Sequence, residues 1–524
     1  MKIKKEILLH LVFLLSLATL LFFPVIRSAS FSPKDSFYTG FHGIVGDYYT
    51  YLSVINQGRN QWSYQNPYTT ELTQKSYVHL FYILLGKMAS PLRVSNIEMY
   101  YLAIVVSFLL YYLFTYLLVV YLVPRKFRWL AMLVIFFAGP FPPSTPSLDS
   151  AWWTHMDSYS RVSLVPHHLF SSALLVGTTY YLLRFFYEKK TRFLLFSLIS
   201  QTMGLLSFAV PGFILLTATL VSVFLYLILH RVRRTIRIPP KVFWGFVLVI
   251  FLSLFLLFLV RQLLTAVNFP DWEYQTYRQE QLVYTYSNLF FSYGILLILI
   301  LPSFVLIIRK KRFSHFFLFL LFILPSVFYQ LAVAGILPIN KLRFVYSAPY
   351  AIGGILATLG IAFLLDHIKG RLLQRQLILG GIVFIVLANA FFGLKAYWLP
   401  KLSEKNIYLN TYIPKPYLQA MEYLVRETSP ASAVLTTYLP GMFIPAFTYN
   451  RVYLGHEIIT MEFWRKWYEV DDFYNEKMSL QKAKDLFSQN SIDYVFSEGK
   501  KLTPYKSILI PVWTNQYLTI YKTI

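Results

Sequence analysis

The chain contains no cysteine. That excludes disulfides, thiolate nucleophiles and cysteine-ligated metals. It is also poor in charge: 14% of its 524 residues are Asp, Glu, Lys or Arg, where a soluble domain usually has about a quarter. Acids are the scarcer sign, 24 against 48 Lys plus Arg. There is no Walker loop, no GxGxxG and no complete HExxH, so no nucleotide cradle or zincin site is signalled. No DxD pair occurs either, so a tightly bound divalent cation is not signalled.

What the sequence does have is apolar surface. It is 56% hydrophobic and 19% aromatic, with a mean hydropathy of +0.52. Apolar runs of about 18 residues or more recur along most of the chain, which is the pattern of membrane-spanning helices. The formal charge of +24 raises the question of nucleic acid. The basic residues are not arranged for it. They sit in short clusters between apolar runs: MKIKK at the start, Arg125-Lys126-Arg128, Lys189-Lys190-Arg192, 231–237, 309–312, and Lys369 with Arg371 and Arg375. This is the loop bias of the positive-inside rule.

Lys2, Lys4 and Lys5 put the start of the first span, roughly 6–26, on the inside. No small-residue cleavage site follows cleanly, so an uncleaved anchor is expected. Residues 28–96 then form the first outer loop. Its apolar piece, 76–89, is short for a bilayer of about 30 Å, and a crossing there would invert every later basic cluster. It is expected to lie in the interface. Further spans are read at roughly 97–123, 127–141, 166–187, 192–209, 212–230, 241–264, 288–308, 313–334, 343–366 and 375–396. A tight outer turn or a kink is expected near Val210-Pro211-Gly212. The expected fold is thus an α-helical polytopic membrane protein of about eleven transmembrane helices, N-terminus in and C-terminus out.

The expected domains are a transmembrane domain over 1–397 and a small extracytoplasmic α/β domain over 398–524. In the latter, helices are expected at Lys415–Glu427, Met461–Tyr474 and Ser479–Gln489, the last capped by Ser479. Strands are expected at Ala433–Tyr438, Arg451–Leu454, Asp493–Phe496 and Tyr517–Tyr521.

Acids and aromatics gather in the outer loops, which makes these loops the candidates for chemistry. Asp47 stands just beyond the first span, in GFHGIVGDYYTYLSVINQG, between Gly46 and the tyrosines Tyr48, Tyr49 and Tyr51. It is either a general base at the lipid–water boundary or a turn acid that caps the helix beginning at Tyr48. Asp149 and Asp157 share a Pro-rich outer loop with His155. His167 and His168 open a span and fit an interfacial place better than a metal. Lys341 and Arg343 stand at the outer mouth of a span, either holding a phosphate or snorkelling as anchors. Arg261 and Arg278 compete for that role. His456-Glu457 lacks the second His of HExxH, Thr460 standing in its place, and reads as a strand-end turn.

The segments GDYYTYLS and SYVHLFYILLGKMA at the front, with NKLRFVYSAPYAIGGILATLGIAFLL later, resemble the GT-C fold glycosyltransferases. The resemblance is to the bacterial polyprenyl-phosphate-sugar-dependent branch, related to protein O-mannosyltransferases and aminoarabinose transferases. It implies inverting hexosyl or pentosyl transfer from a polyprenyl-phosphate-linked donor to a lipid, glycan or protein acceptor on the outer face of the cytoplasmic membrane. It makes Asp47 the catalytic residue and Arg343 with Lys341 the donor-phosphate group. Asp149, Tyr48 and Tyr49 are the secondary candidates on the acceptor side. The family often pairs acids after the first span. Here Tyr48 follows Asp47, so dependence on a divalent cation, Mg or Mn, stays open and no residue is assigned as a metal ligand. The competing readings are a lipid or oligosaccharide flippase or transporter, an oligosaccharide polymerase or ligase, and a non-catalytic relative. A transporter would place charges in mid-span and repeat its two halves, and neither pattern is evident.

Overall fold

The computed structural model describes residues 2–40, 45–140, 165–233, 239–265, 286–337, 343–344, 348–368, 372–403, 411–430, 432–499 and 501–524. The chain packs as two compact units. One comprises Met1–Pro24, Ala103–Arg261 and Val283–Ser403; the other comprises Val25–Leu102, Gln262–Leu282 and Glu404–Ile524. This division follows packing, whereas the one expected at 397/398 follows hydropathy.

The first unit is helical. Among the described residues, six helices are long and apolar enough to cross a membrane: Asn96–Leu122, Pro166–Glu188, Pro240–Gln262, Phe313–Val333, Pro349–His367 and Leu372–Phe392. The first helix makes a seventh if its two segments, Leu8–Leu20 and Phe22–Ser30, bent by 47°, are one span. The chain is a multi-pass helical membrane protein. Some expected spans are shorter or broken. Residues 127–141 yield a helix of only 10 residues, Arg128–Phe137, about half the hydrocarbon thickness at 1.5 Å per residue. It stops because the Asn389 side chain captures the backbone beyond it, accepting from the Gly139 N–H at 2.7 Å and donating to the Pro140 carbonyl at 3.0 Å. The stretch 288–308 divides at Gly294, whose φ of 50° separates Tyr286–Tyr293 from Ile295–Lys310. The turn expected near 210–212 lies at Phe208, between Thr191–Ser207 and Ala209–Arg233.

The Pro349–His367 helix is buried nearly throughout. Its glycines allow this. A Cβ on Gly353 would meet the Phe322 ring at 2.7 Å, one on Gly354 the Ile135 side chain at 2.6 Å, and one on Gly360 the Ser303 backbone at 2.4 Å. Small residues let helix backbones approach where lipid supplies no hydrophobic drive. Ion pairs gather loops at one end of this unit. Glu6 lies 2.9 Å from Arg125 and 3.3 Å from Arg128, and Lys126 lies 2.8 Å from Asp366. The start of the first helix and the end of the Asn96–Leu122 helix therefore lie together, and these two helices run antiparallel.

The second unit joins the first loop to the tail. A ribbon pairs β1 (Ser36–Tyr38) antiparallel with β2 (Tyr412–Pro414). The main sheet has the order β4-β3-β5-β7-β6. In it β3 (Ala433–Leu435) runs parallel to β4 (Arg451–Val452) and to β5 (Ile492–Glu498), while β7 (Leu518–Thr523) lies antiparallel to β5 and β6 (Leu509–Thr514). The helix Lys415–Glu427 has its expected bounds, and Ser479 accepts from the Lys482 N–H at 3.3 Å to cap Leu480–Gln489. The strand expected over 433–438 ends at Leu435, because Tyr438–Phe447 is a buried helix despite Pro440 and Pro445. The helices Val45–Asn60 and Leu80–Leu92 cross through two glycines. A Cβ on Gly58 would stand 2.7 Å from the Ile83 carbonyl, and one on Gly86 2.3 Å from the Ile55 carbonyl.

A buried ion pair ties loop to tail. Lys466, its side chain 0% exposed, places Nζ 2.6 Å from Glu71 and 3.1 Å from the Thr69 hydroxyl. Burial pulls the Lys466 ammonium below its ordinary value against the attraction of Glu71. For Glu71, burial works upward, but Lys466 and the Thr69 hydroxyl together hold the carboxyl below its ordinary value of 4.5. Glu71→Gln strands a sealed ammonium and is expected to cost about 3–5 kcal/mol. Lys466→Met leaves a carboxylate one third exposed, free to hydrate, and is expected to cost less. Thermal unfolding in detergent reads both. Because the folded value of Glu71 is lowered, its contribution is complete above the ordinary carboxylate value and fades as pH falls through the lowered one. The gap between wild type and Glu71→Gln should therefore close in acid.

Candidate functional site

Asp47 stands in the first turn of the Val45–Asn60 helix, where the unpaired N–H groups and the helix dipole favour a carboxylate. The residues around it turn inward. Tyr48, Tyr49, Tyr51, Leu52, Val54 and Ile55 are all buried, while the Asp47 side chain keeps 43% of its surface open. The Tyr48 hydroxyl donates to the Thr39 carbonyl at 2.6 Å. Its ring meets Tyr49 and Tyr100 edge-on, at 5.4 and 5.1 Å between centroids. Tyr51 stacks on Tyr82 at 4.3 Å. Tyr48 and Tyr49 thus serve as packing that aims the helix, and Asp47 is the polar group it presents.

The group facing Asp47 comes from the tail. His456 Nε2 lies 3.7 Å from Asp47 Oδ1, and the histidine side chain is 6% exposed. Its other nitrogen, Nδ1, accepts the Ile458 N–H at 3.0 Å. The turn that carries it is closed by the His456 carbonyl, which accepts from the N–H groups of Ile459 and Thr460 at 3.2 and 2.8 Å. The first loop holds that turn in place. Asn66 donates to the Ile459 carbonyl at 2.8 Å, and the Thr460 hydroxyl donates to the Tyr68 carbonyl at 2.8 Å. Gly46 makes the approach possible, because a Cβ there would sit 2.4 Å from His456 Nε2. His456 is a strand-end turn residue, as its sequence suggests, but its pairing with Asp47 had no local signal.

Other candidates fall elsewhere. Arg343 is half-buried in the first unit, its guanidinium 5.9 Å from the centre of the Phe208 ring. The His168 and His167 rings lie 4.6 and 5.8 Å from the same ring and 4.0 Å from each other. Arg343, His167 and His168 therefore gather around Phe208. Lys341, Asp149, Asp157, His155 and Arg278 lie outside the described residues. Among the described residues no three His, Asp or Glu side chains come together as a metal would require. Asp47 and His456 are two such side chains, one short of that number.

No protein-family model matches the sequence, and no curated protein matches it. Solved structures do match in fold. ArnT from Cupriavidus metallidurans bound to undecaprenyl phosphate aligns over 99% of this chain and 98% of its own, with a TM-score of 0.53 and 11% identity. The oligosaccharyltransferase of Archaeoglobus fulgidus in the apo form aligns over 93% of this chain and 69% of its own, with a TM-score of 0.54 and 14% identity. The mycobacterial arabinofuranosyltransferase AftD aligns over 97% of this chain but 41% of its own, with a TM-score of 0.52 and 12% identity. The fold is that of the GT-C membrane proteins.

Gly46→Ala is expected to push the His456 ring out of its place, at the cost of about 1–3 kcal/mol typical of overpacking. Diethylpyrocarbonate labelling of His456, read by mass spectrometry, should be slow in wild type and faster in the variant. Unchanged labelling would show that the ring does not depend on the bare backbone at Gly46.

Proposed function

We propose that this chain is a membrane glycosyltransferase. It moves a hexose or pentose from a polyprenyl-phosphate-linked donor to a glycan, lipid or protein acceptor of the cell envelope. The observation that carries the reading is a half-open carboxylate, backed by a histidine, in a chain that shares its fold with an undecaprenyl-phosphate-bound transferase over nearly its whole length. The basic clusters between spans support an N-terminus inside and a tail outside the cytoplasmic membrane. A donor whose lipid stays in the bilayer and whose phosphate sits at the interface suits that arrangement.

The chemistry is a single inverting displacement. Asp47 takes the proton of the acceptor hydroxyl or amine as that atom attacks the anomeric carbon. The bond from that carbon to the phosphate oxygen breaks, its electron pair stays on oxygen, and polyprenyl phosphate departs. Arg343, with Lys341, holds the phosphate as charge builds on it, since a guanidinium pairs with phosphate in a bidentate way. The sugar itself supplies the activation, so no nucleotide is needed at the site.

Purified protein, assayed with a panel of undecaprenyl-phosphate hexoses and pentoses and an envelope extract as acceptor, should release undecaprenyl phosphate. Asp47→Asn should lower kcat by ~10²–10⁴-fold with little change in the KM for donor. Arg343→Ala should act chiefly by raising that KM. Equal turnover by wild type and Asp47→Asn would remove Asp47 as the base, and no release from any donor would remove the transferase reading.

A further inference from the structure

We propose that His456 is the positioning residue for Asp47, donating from Nε2–H to one carboxylate oxygen so that the other is left to face the acceptor. The inference rests on the transferase reading and adds to it a residue from the tail of the chain.

Three observations carry it. The first is the tautomer. Because Nδ1 accepts the Ile458 N–H, the neutral ring carries its hydrogen on Nε2, the nitrogen that faces Asp47. His456 therefore offers a donor to the carboxylate and has no nitrogen ready to take a proton from it. That assigns the histidine to orientation and leaves the base role with Asp47. The second is rigidity. The ring is nearly sealed, and its turn is closed by its own backbone and by Asn66 and Tyr68 from the first loop. A donor held this way loses little freedom when it engages. The third is access. Gly46 leaves the space that the ring edge occupies beside Asp47, so the approach is built into both partners.

The separation of 3.7 Å exceeds a hydrogen bond. Catalytic contacts of this kind are often long before substrate binds and tighten with it. A modest rotation of the half-exposed Asp47 side chain closes the gap, while the buried ring stays where it is. The carboxylate is thus poised to swing onto a fixed donor as the acceptor arrives.

The test separates a donor from a filler. His456→Phe keeps the ring volume and removes both nitrogens. His456→Asn reaches only the Nδ1 position. His456→Gln places an amide N–H close to where Nε2 stands. The substrates are the undecaprenyl-phosphate sugars of the preceding assay, with thermal unfolding measured on each variant. Phe and Asn are expected to lower kcat by about 10- to 100-fold, the scale of a hydrogen bond to a charged group, with the donor KM unchanged. Gln is expected to restore most of the rate. If the Phe variant unfolds early, the Asn and Gln variants carry the comparison. Wild-type turnover in His456→Phe, or equal losses in Asn and Gln, would overturn the positioning role even if Asp47→Asn is inactive. Absence of turnover in wild type would instead remove the transferase reading and this inference with it.

Discussion

Residues 64–76 have little regular structure of their own, and their polar groups must be satisfied all the same. They find partners in the tail. Pro67 accepts the Val452 N–H at 2.8 Å, Thr70 accepts from Arg451 at 3.0 Å, and the Tyr68 hydroxyl reaches the Met442 carbonyl at 3.2 Å; from the preceding helix, Asn56 donates to the Thr448 carbonyl at 2.7 Å. Neither segment is complete without the other. The turn bearing His456 is set by this exchange, so the placement of a tail residue against Asp47 follows from backbone hydrogen bonding rather than from any attraction between the two side chains. Gly455 belongs to the same constraint, since a Cβ there would meet the Tyr68 ring at 2.7 Å and the Gly441 carbonyl at 2.8 Å.

The few acids of the chain are used economically. Glu6 answers Arg125 and Arg128, Asp366 answers Lys126, Glu188 answers Arg184, Glu71 answers Lys466, and Glu462 with Glu469 answers Arg465. A carboxylate in a full ion pair gives up its counter-ion when it takes a proton, which makes it a poor base. Asp47 is placed differently. Within its compact unit, among the described residues, it pairs with no Lys or Arg and faces the edge of an imidazole. Six acids thus hold a Lys or Arg in these pairs, whereas Asp47 keeps an open side.

Much of this architecture was legible because it is local. The Lys415–Glu427 helix announces itself by period and by the prolines at its start, and Ser479 by its capping chemistry. Asp47 was legible by position alone, as an acid close beyond the first apolar run. What escaped has a common cause, the dominance of long-range packing over local preference. The β1–β2 ribbon pairs Phe37 with Ile413, and three-residue strands carry no period to read. The Tyr438–Phe447 helix contains two prolines and a glycine, so propensity argues against it and burial of Met442, Phe443 and Ile444 decides for it. The β6 strand holds Pro511 next to a register shift, which is where a sheet tolerates proline. His456 escaped for the same reason, since its partner lies at the other end of the chain.

The half-exposure of Asp47 then acquires a reason. A base that takes a proton must release it before the next cycle. The obvious relay, the neighbouring imidazole, is closed, because one nitrogen is engaged by the Ile458 N–H and the other already bears hydrogen. With Asp47 as the base of the proposed transfer, the proton leaves by the open side of the carboxylate. Burying Asp47 as deeply as Tyr49 would strengthen its contact with His456 and trap the proton it accepts. Exposing it fully would lose the fixed donor that orients it. A carboxylate shielded on the histidine side and open on the other satisfies both demands, and the buried Tyr48, Tyr49 and Tyr51 that follow it in the helix hold it at that depth.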